Sequence, residues 1–194
     1  SYTAKDGSKY IGEFNNGNLL LGITKYSDGS KYDGEYKDGK RDGQGTLIYS
    51  DGTQYTGGWK NNKNHGHGIK VWKNNDEYIG NFRNDQPHGL GTFVSSNGSN
   101  YYGEYKDGKR HGQGTLIYPD QRSYEGKFKN GLEHGVGLCT KKDGSSIKCK
   151  VLVMLDNNTT NKNKHDISLK VDKWVKLSEY EEDFGKGNKI MQKL

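Results

Sequence analysis

One spacing governs this chain. A Tyr-x-Gly-x-aromatic pattern starts at Tyr10, Tyr32, Tyr55, Tyr78, Tyr101 and Tyr124, so successive starts differ by 22 residues once and by 23 thereafter. A fixed period of this length marks a repeat architecture, in which each unit is one supersecondary element that buries its apolar side only by stacking on its neighbours. Eleven residues after the Tyr, a Gly-x-Gly follows in five of the copies, from Gly43 and Gly45 to Gly135 and Gly137; the shorter first copy keeps only Gly22. A further 23 residues from Tyr124 lead to Ile147, with Cys149 in the place of Gly and Val151 in the place of the second aromatic, which reads as a degenerate unit. Asp6-Gly7 matches Asp28-Gly29 and reads as a partial unit ahead of the first copy. The array is therefore expected over residues 1–151, with residues 152–194 as a C-terminal cap and tail.

Composition alone would mislead. Leu, Ile, Val and Phe make up less than a fifth of the chain, a level that elsewhere accompanies disorder. Disorder also needs strong self-repulsion, and a net charge of +6 over 194 residues is mild. Burial has other carriers in 14 Tyr and 3 Trp, and the 29 Gly fall largely at periodic positions, where backbone geometry demands them. No apolar run is long enough to cross a bilayer and the first residues lack a charged-then-apolar leader, so the expected location is cytoplasmic. In that compartment Cys139 and Cys149 are expected as free thiols, although the Asp143-Gly144 turn brings them near each other.

Within each unit, runs rich in aromatic and β-favouring residues, such as Thr53 to Lys60 and Gly68 to Lys73, are separated by Asp-Gly or Asn-rich turns. Each unit therefore reads as a β-hairpin. Placing a two-residue type I′ turn at Asp51-Gly52 sets Ile48 opposite Tyr55, Thr46 opposite Gly57 and Gln44 opposite Trp59. Alternation then puts the Tyr, Gly and second aromatic on one face with a column of Ile48, Val71, Val94 and Ile117. The other face would carry Lys31, Asp33 and Glu35 with Gly43 and Gly45, and be wet. A slip of one residue would exchange faces. The expected fold is all-β: an elongated single-layer antiparallel sheet of stacked hairpins, coiled into a trough by its twist. Glycine between two aromatics leaves room for rings to lie over the backbone and stand in for a second layer.

These residues resemble the MORN repeat family, whose 23-residue unit has the form Y-x-G-x-[WFY]-x-x-G-x-x-x-G-x-G. "YDGEYKDGKRDGQGTLIYSDG" (32–52) and "YYGEYKDGKRHGQGTLIYPDQ" (101–121) are close matches, and the likeness runs over about residues 6 to 151. Gly58 and Lys127 depart from the usual Glu. The resemblance implies a non-catalytic scaffold or adaptor that binds a segment of a partner protein along an aromatic groove, in cytoskeletal or membrane-junction settings. It also implies two alternatives: phospholipid binding at a membrane surface, and service as the targeting module of a larger enzyme.

The candidate partner-binding rings are Tyr10, Phe14, Tyr32, Tyr36, Tyr55, Trp59, Tyr78, Phe82, Tyr101, Tyr105, Tyr124 and Phe128. Cross-strand pairing alone accounts for such rows, but a single layer leaves the rings free for a second role in holding a peptide or helix, which Tyr and Trp suit. Lys37, Lys40, Arg41, Lys106, Lys109 and Arg110 at hairpin ends are candidate contacts for anionic lipid, or simply solvated tips. His65, His88, His111 and His134 share one repeat position, but stacked hairpins space equivalent positions by roughly 10 Å, too far for neighbouring imidazoles to share an ion. No metal or cofactor is expected. The Gly-x-Gly lacks the following helix of a phosphate loop, no nucleophile has a recognisable base beside it, and nucleic acid is not an expected partner. Association of two ribbons as a homodimer is compatible with the pattern.

Beyond the array, "ISLKV" (167–171) alternates as a strand, and Ser178 with Glu181 form a capping box for a short helix ending near Gly185. This stretch is expected to cap the open sheet edge; in a rival reading, residues 174–184 fold back into the groove.

Overall fold

The computed structural model describes residues 1–155 and 169–176. The chain forms two compact units, Ser1–Lys109 and Arg110–Leu194. The first contains β1 (Tyr2–Thr3), β2 (Lys9–Asn15), β3 (Asn18–Lys25), β4 (Lys31–Lys37), β5 (Lys40–Ile48), β6 (Gln54–Lys60), β7 (Lys63–Val71), β8 (Glu77–Arg83), β9 (Gln86–Val94) and β10 (Asn100–Lys106). Each pairs antiparallel with the strand before it. The second contains β11 (Lys109–Ile117), β12 (Ser123–Lys129), β13 (Leu132–Thr140), β14 (Ser146–Leu155) and β15 (Leu169–Lys176), paired in the same sequential way. Both units are all-β meanders, as the period requires.

Two kinds of turn alternate, and both use Asp-Gly. Lys37 pairs with Lys40 across Asp38-Gly39, whose φ values of +50° and +71° make the two-residue type I′ turn. At Asp51-Gly52 the chain does something else. The Tyr49 N–H donates to the Thr53 carbonyl (2.8 Å), the Gly52 N–H donates back to the Tyr49 carbonyl (3.0 Å), and the Asp51 carboxylate accepts from the Thr53 N–H (2.8 Å). With Gly52 at φ +90° this is a three-residue loop closing in a glycine bulge. The extra residue corrects the expected register by one. Leu47, not Ile48, stands opposite Tyr55; Gly45 faces Gly57, and Gly43 faces Trp59.

The slip exchanges the companions of the ring face. The column beside the tyrosines is Leu47, Lys70, Phe93, Leu116 and Cys139, not Ile48, Val71, Val94 and Ile117. Ile48 and Val94 lie on the opposite face, 41% and 39% exposed. Gly45 likewise belongs to the ring side, under Tyr32, while Gly43 faces the Glu35 side chain and stays with Lys31, Asp33 and Glu35 on the outer one.

Glycine then meets glycine on every strand crossing. Gly12, Gly22, Gly34, Gly45, Gly57, Gly68, Gly80, Gly91 and Gly103 form an unbroken Cα-paired row across β2 to β10. Gly114, Gly126 and Gly137 continue the pattern in the second unit until Cys149 ends it. Cys139 and Cys149 are fully buried and joined as a disulfide, with Cα atoms 5.8 Å apart. The free-thiol expectation is thereby corrected: the two sit diagonally across the β13–β14 pair, a separation that a disulfide spans.

At the C-terminal end, the strand expected over 167–171 is described from Leu169 and runs on to Lys176, paired with β14 so that Trp174 stands opposite Val151. The proposed helix over 178–185 lies outside the described residues, as do residues 177–184 of the fold-back reading.

Candidate functional site

The repeat motif becomes physical at the tyrosines. Tyr32, Tyr55, Tyr78, Tyr101 and Tyr124 are at most 1% exposed although each unit has only one layer. Each ring folds down over the glycine row: a Cβ placed on Gly45 would stand 2.2 Å from Tyr32 Oη, one on Gly68 2.5 Å from Tyr55 Oη, and one on Gly91 2.3 Å from Tyr78 Oη. Each hydroxyl donates to the main-chain carbonyl three residues on, at Glu35, Gly58, Asn81, Glu104 and Lys127, over 2.8 to 3.3 Å. In four of these repeats a register shift follows the motif's glycine on the strand's second side. Such a bulge leaves a carbonyl outside the ladder and available to the phenol.

The second aromatic locks the first. Tyr32 packs edge-on against Tyr36 (5.1 Å between centroids) and against Trp59 of the next repeat (5.4 Å). Tyr55 meets Trp59 and Phe82 in the same way, and Tyr78 meets Phe82 and Tyr105. These are the T-shaped contacts that ring quadrupoles favour. Trp59 adds an Nε1–H donated to the Gly45 carbonyl (3.0 Å).

Of the twelve candidate rings, ten are therefore buried; at the N-terminal end Tyr10 is half-buried and Phe14 exposed. Burial holds the phenols in their neutral form, raising the pKa of Tyr78 to about 12 and those of Tyr32, Tyr36 and Tyr55 further. These rings serve as the layer that the sheet otherwise lacks.

Residues that the sequence pattern did not single out lie half-buried on this side. Tyr49 and Trp72 begin the three-residue loops that close in a bulge, with Gly52 and Asn75 at the positive-φ position, and Phe93 packs against Trp72 at 5.9 Å. In the second unit, the Tyr118 hydroxyl donates to buried Glu133 while Arg122 lies 5.5 Å over the Tyr118 ring. Their one available signal is position: residues 49, 72 and 118 recur at the period just before each loop.

Among the basic candidates, Lys37, Lys40, Lys106 and Lys109 are exposed at strand ends beside type I′ turns. Arg41 and Arg110 instead turn toward rings. The Arg41 guanidinium carbon is 4.4 Å from the Trp59 centroid and 5.7 Å from that of Tyr32, and Arg110 is 5.7 Å from Phe128. His88 contacts Asp107 at 3.5 Å. Among the described residues, no group of three or more His, Cys, Asp or Glu is arranged to hold a metal.

The profile of the MORN repeat family matches residues 32–54, 55–77, 78–100, 101–121 and 124–146. The chain belongs to the MORN repeat family. The copy at Tyr10 lies ahead of the matched span. MORN repeats are generally non-catalytic and suggest a scaffold or adaptor. No curated protein matches this MORN chain at a significant level. A solved structure similar to it is the TCP domain of SAS-4 (dCPAP) in complex with a proline-rich motif of Ana2 (dSTIL), from Drosophila melanogaster. The two are 12% identical over 79% of this chain and 88% of that one, with a TM-score of 0.46. That likeness is too low to carry an argument. No helix among the described residues is long and apolar enough to cross a membrane.

Proposed function

We propose that this MORN array is a non-catalytic scaffold that holds a segment of a partner protein on its ring-bearing face. What supports the reading is that in each unit this face, in a single-layer sheet, carries packed rings. In the first unit, half-exposed Tyr49, Trp72 and Phe93 stand beside the buried rows. The twelve motif rings would then act as a rigid floor, and the partner would engage their rims together with these neighbours. Amphipathic aromatic side chains on a stiff support lose little entropy when they bind.

The test is a peptide-display selection against the full chain, with affinities of selected peptides measured by fluorescence anisotropy. Tyr49→Ala with Trp72→Ala should weaken binding at least tenfold, about 1.4 kcal/mol, whereas outer-face Ile69→Thr should leave it unchanged. The reverse ranking would refute the proposal.

A second reading, docking on anionic lipid, draws on exposed Lys37, Lys40, Lys106 and Lys109. Salt separates the two, because charge-driven docking fades as ionic strength rises while contact with aromatic surface persists. As to location, a buried disulfide favours an oxidising compartment, the opposite of the cytoplasmic site expected from the sequence.

A further inference from the structure

Lys70 does not belong where it stands. The corresponding positions 23 residues away on either side are Leu47 and Phe93, and a further repeat on it is Leu116. Its Cα neighbours across β6 and β8 are the fully buried Tyr55 and Tyr78. The stem therefore runs through the apolar column, and the ammonium emerges 5.3 Å from the Trp72 centroid and 5.9 Å from that of Tyr49.

Among the described residues, no hydrogen bond or ion pair reaches Nζ. Burial lowers the Lys70 pKa; Asp85 and Asp51 act only as distant charges that oppose the shift. Two ring faces offset part of the lost hydration, and the three N–H donors are left to solvent rather than to an acceptor on the described residues. A leucine would pack here at less cost, as it does in two other repeats.

By strand alternation, the charged positions on the ring side of β2 to β10 are Lys70 and Arg41. Both are cations. Arg41 keeps a buried Nε–H without a partner, while its terminal nitrogen bonds the Asn62 carbonyl at 3.2 Å. The face thus presents two partly desolvated positive charges against an aromatic floor, with no strand carboxylate beside them.

Resting on the scaffold reading above, we propose that Lys70, between Tyr49 and Trp72, is the specificity anchor of that face and takes an Asp or Glu carboxylate flanked by apolar residues in the partner segment. A single ammonium between two rings is a point charge, suited to one monoanionic carboxylate. A phosphate dianion would call for a cluster of donors, which this seat does not offer.

The same peptide selection tests the assignment, run on the wild-type chain and on Lys70→Leu. Peptides from the wild type should carry Asp or Glu at one position. The best of them should bind Lys70→Leu at least tenfold more weakly, and its own Glu→Gln or Asp→Asn variant should lose the same factor against the wild type but nothing further against Lys70→Leu. The midpoint of thermal unfolding should be equal or higher in Lys70→Leu, which separates lost contact from lost fold.

Binding that depends on Tyr49 and Trp72 but is indifferent to Lys70 would overturn the anchor and leave the scaffold reading standing. No selected peptide, or peptides indifferent to all three residues, would overturn both. Competition by millimolar inorganic phosphate would overturn the carboxylate assignment.

Discussion

Gly45 offers the sharpest test of how a one-layer sheet keeps its rings dry. Its backbone has ordinary φ, so the only obstacle to a side chain is what lies above it. The three nearest atoms to a Cβ there all belong to the Tyr32 ring, at 2.2, 2.5 and 2.6 Å. In Gly45→Ala the ring has to leave its seat. It would give up the hydrogen bond to the Glu35 carbonyl, worth about 1 kcal/mol, and edge-on contacts with Tyr36 and Trp59 that together contribute roughly 2 kcal/mol. Against this, removing a glycine from a strand stabilises by about 0.5 to 1 kcal/mol. The net expectation is a loss of about 2 kcal/mol, measured by urea unfolding followed through tryptophan fluorescence. In a Tyr32→Leu background, where no ring covers the glycine, the same substitution should be neutral or slightly stabilising, so nearly the whole effect appears as coupling between the two sites. A loss below about 0.5 kcal/mol, or an equal loss in both backgrounds, would refute the account of the glycine row.

Two further outcomes follow from buried groups. Reducing Cys139–Cys149, which closes a short loop in the second unit, should lower the stability of that unit by about 2 to 3 kcal/mol; unchanged urea midpoints with and without reductant would count against the pairing. The buried phenols should make the fold sensitive to alkali. An unfolded tyrosine ionises near pH 10, whereas Tyr78 holds its proton to about 12 and Tyr32, Tyr36 and Tyr55 beyond that. Their stabilisation is therefore complete below pH 10 and is lost as pH climbs through 12. Absorbance at 295 nm should show a large tyrosine fraction ionising in one step together with loss of circular dichroism. Smooth ionisation complete by pH 11 in a folded protein would contradict this.

The period, the hairpins and the family were legible in the sequence because they are written redundantly, once per repeat. The register was not. Asp38-Gly39 and Asp51-Gly52 spell the same dipeptide, yet one forms a two-residue turn and the other a three-residue loop with a bulge. The difference lies in which strand residues pair, something a dipeptide does not encode. That single residue moved Ile48 out and Leu47 in. It also hid Lys70, since with the faces exchanged this lysine counts as one more wet charge. Cys139 and Cys149 illustrate a different limit: compartment reasoning favoured thiols, while sheet geometry brought the sulfur atoms together. The twelve rings were legible as a repeating set, but how far glycine lets a phenol lie flat, and so how little of most of these rings remains exposed, depends on backbone approach that no side-chain pattern records.

Because Tyr32, Tyr55 and Tyr78 each lock onto the second aromatic of the following repeat, these joints are interchangeable. Excising residues 55–77 would bring Tyr78 in after Gln54, and Tyr32 would meet Phe82 where it now meets Trp59, with every glycine still opposite a glycine. Growth or loss by whole modules is thus nearly invisible to the architecture, whereas a cut of any other length breaks phase. Yet that excised module carries Lys70 and Trp72, so the shortened molecule would stand intact and have no cation in the column. In such a chain, lineage can change what is recognised without renegotiating how the fold is held.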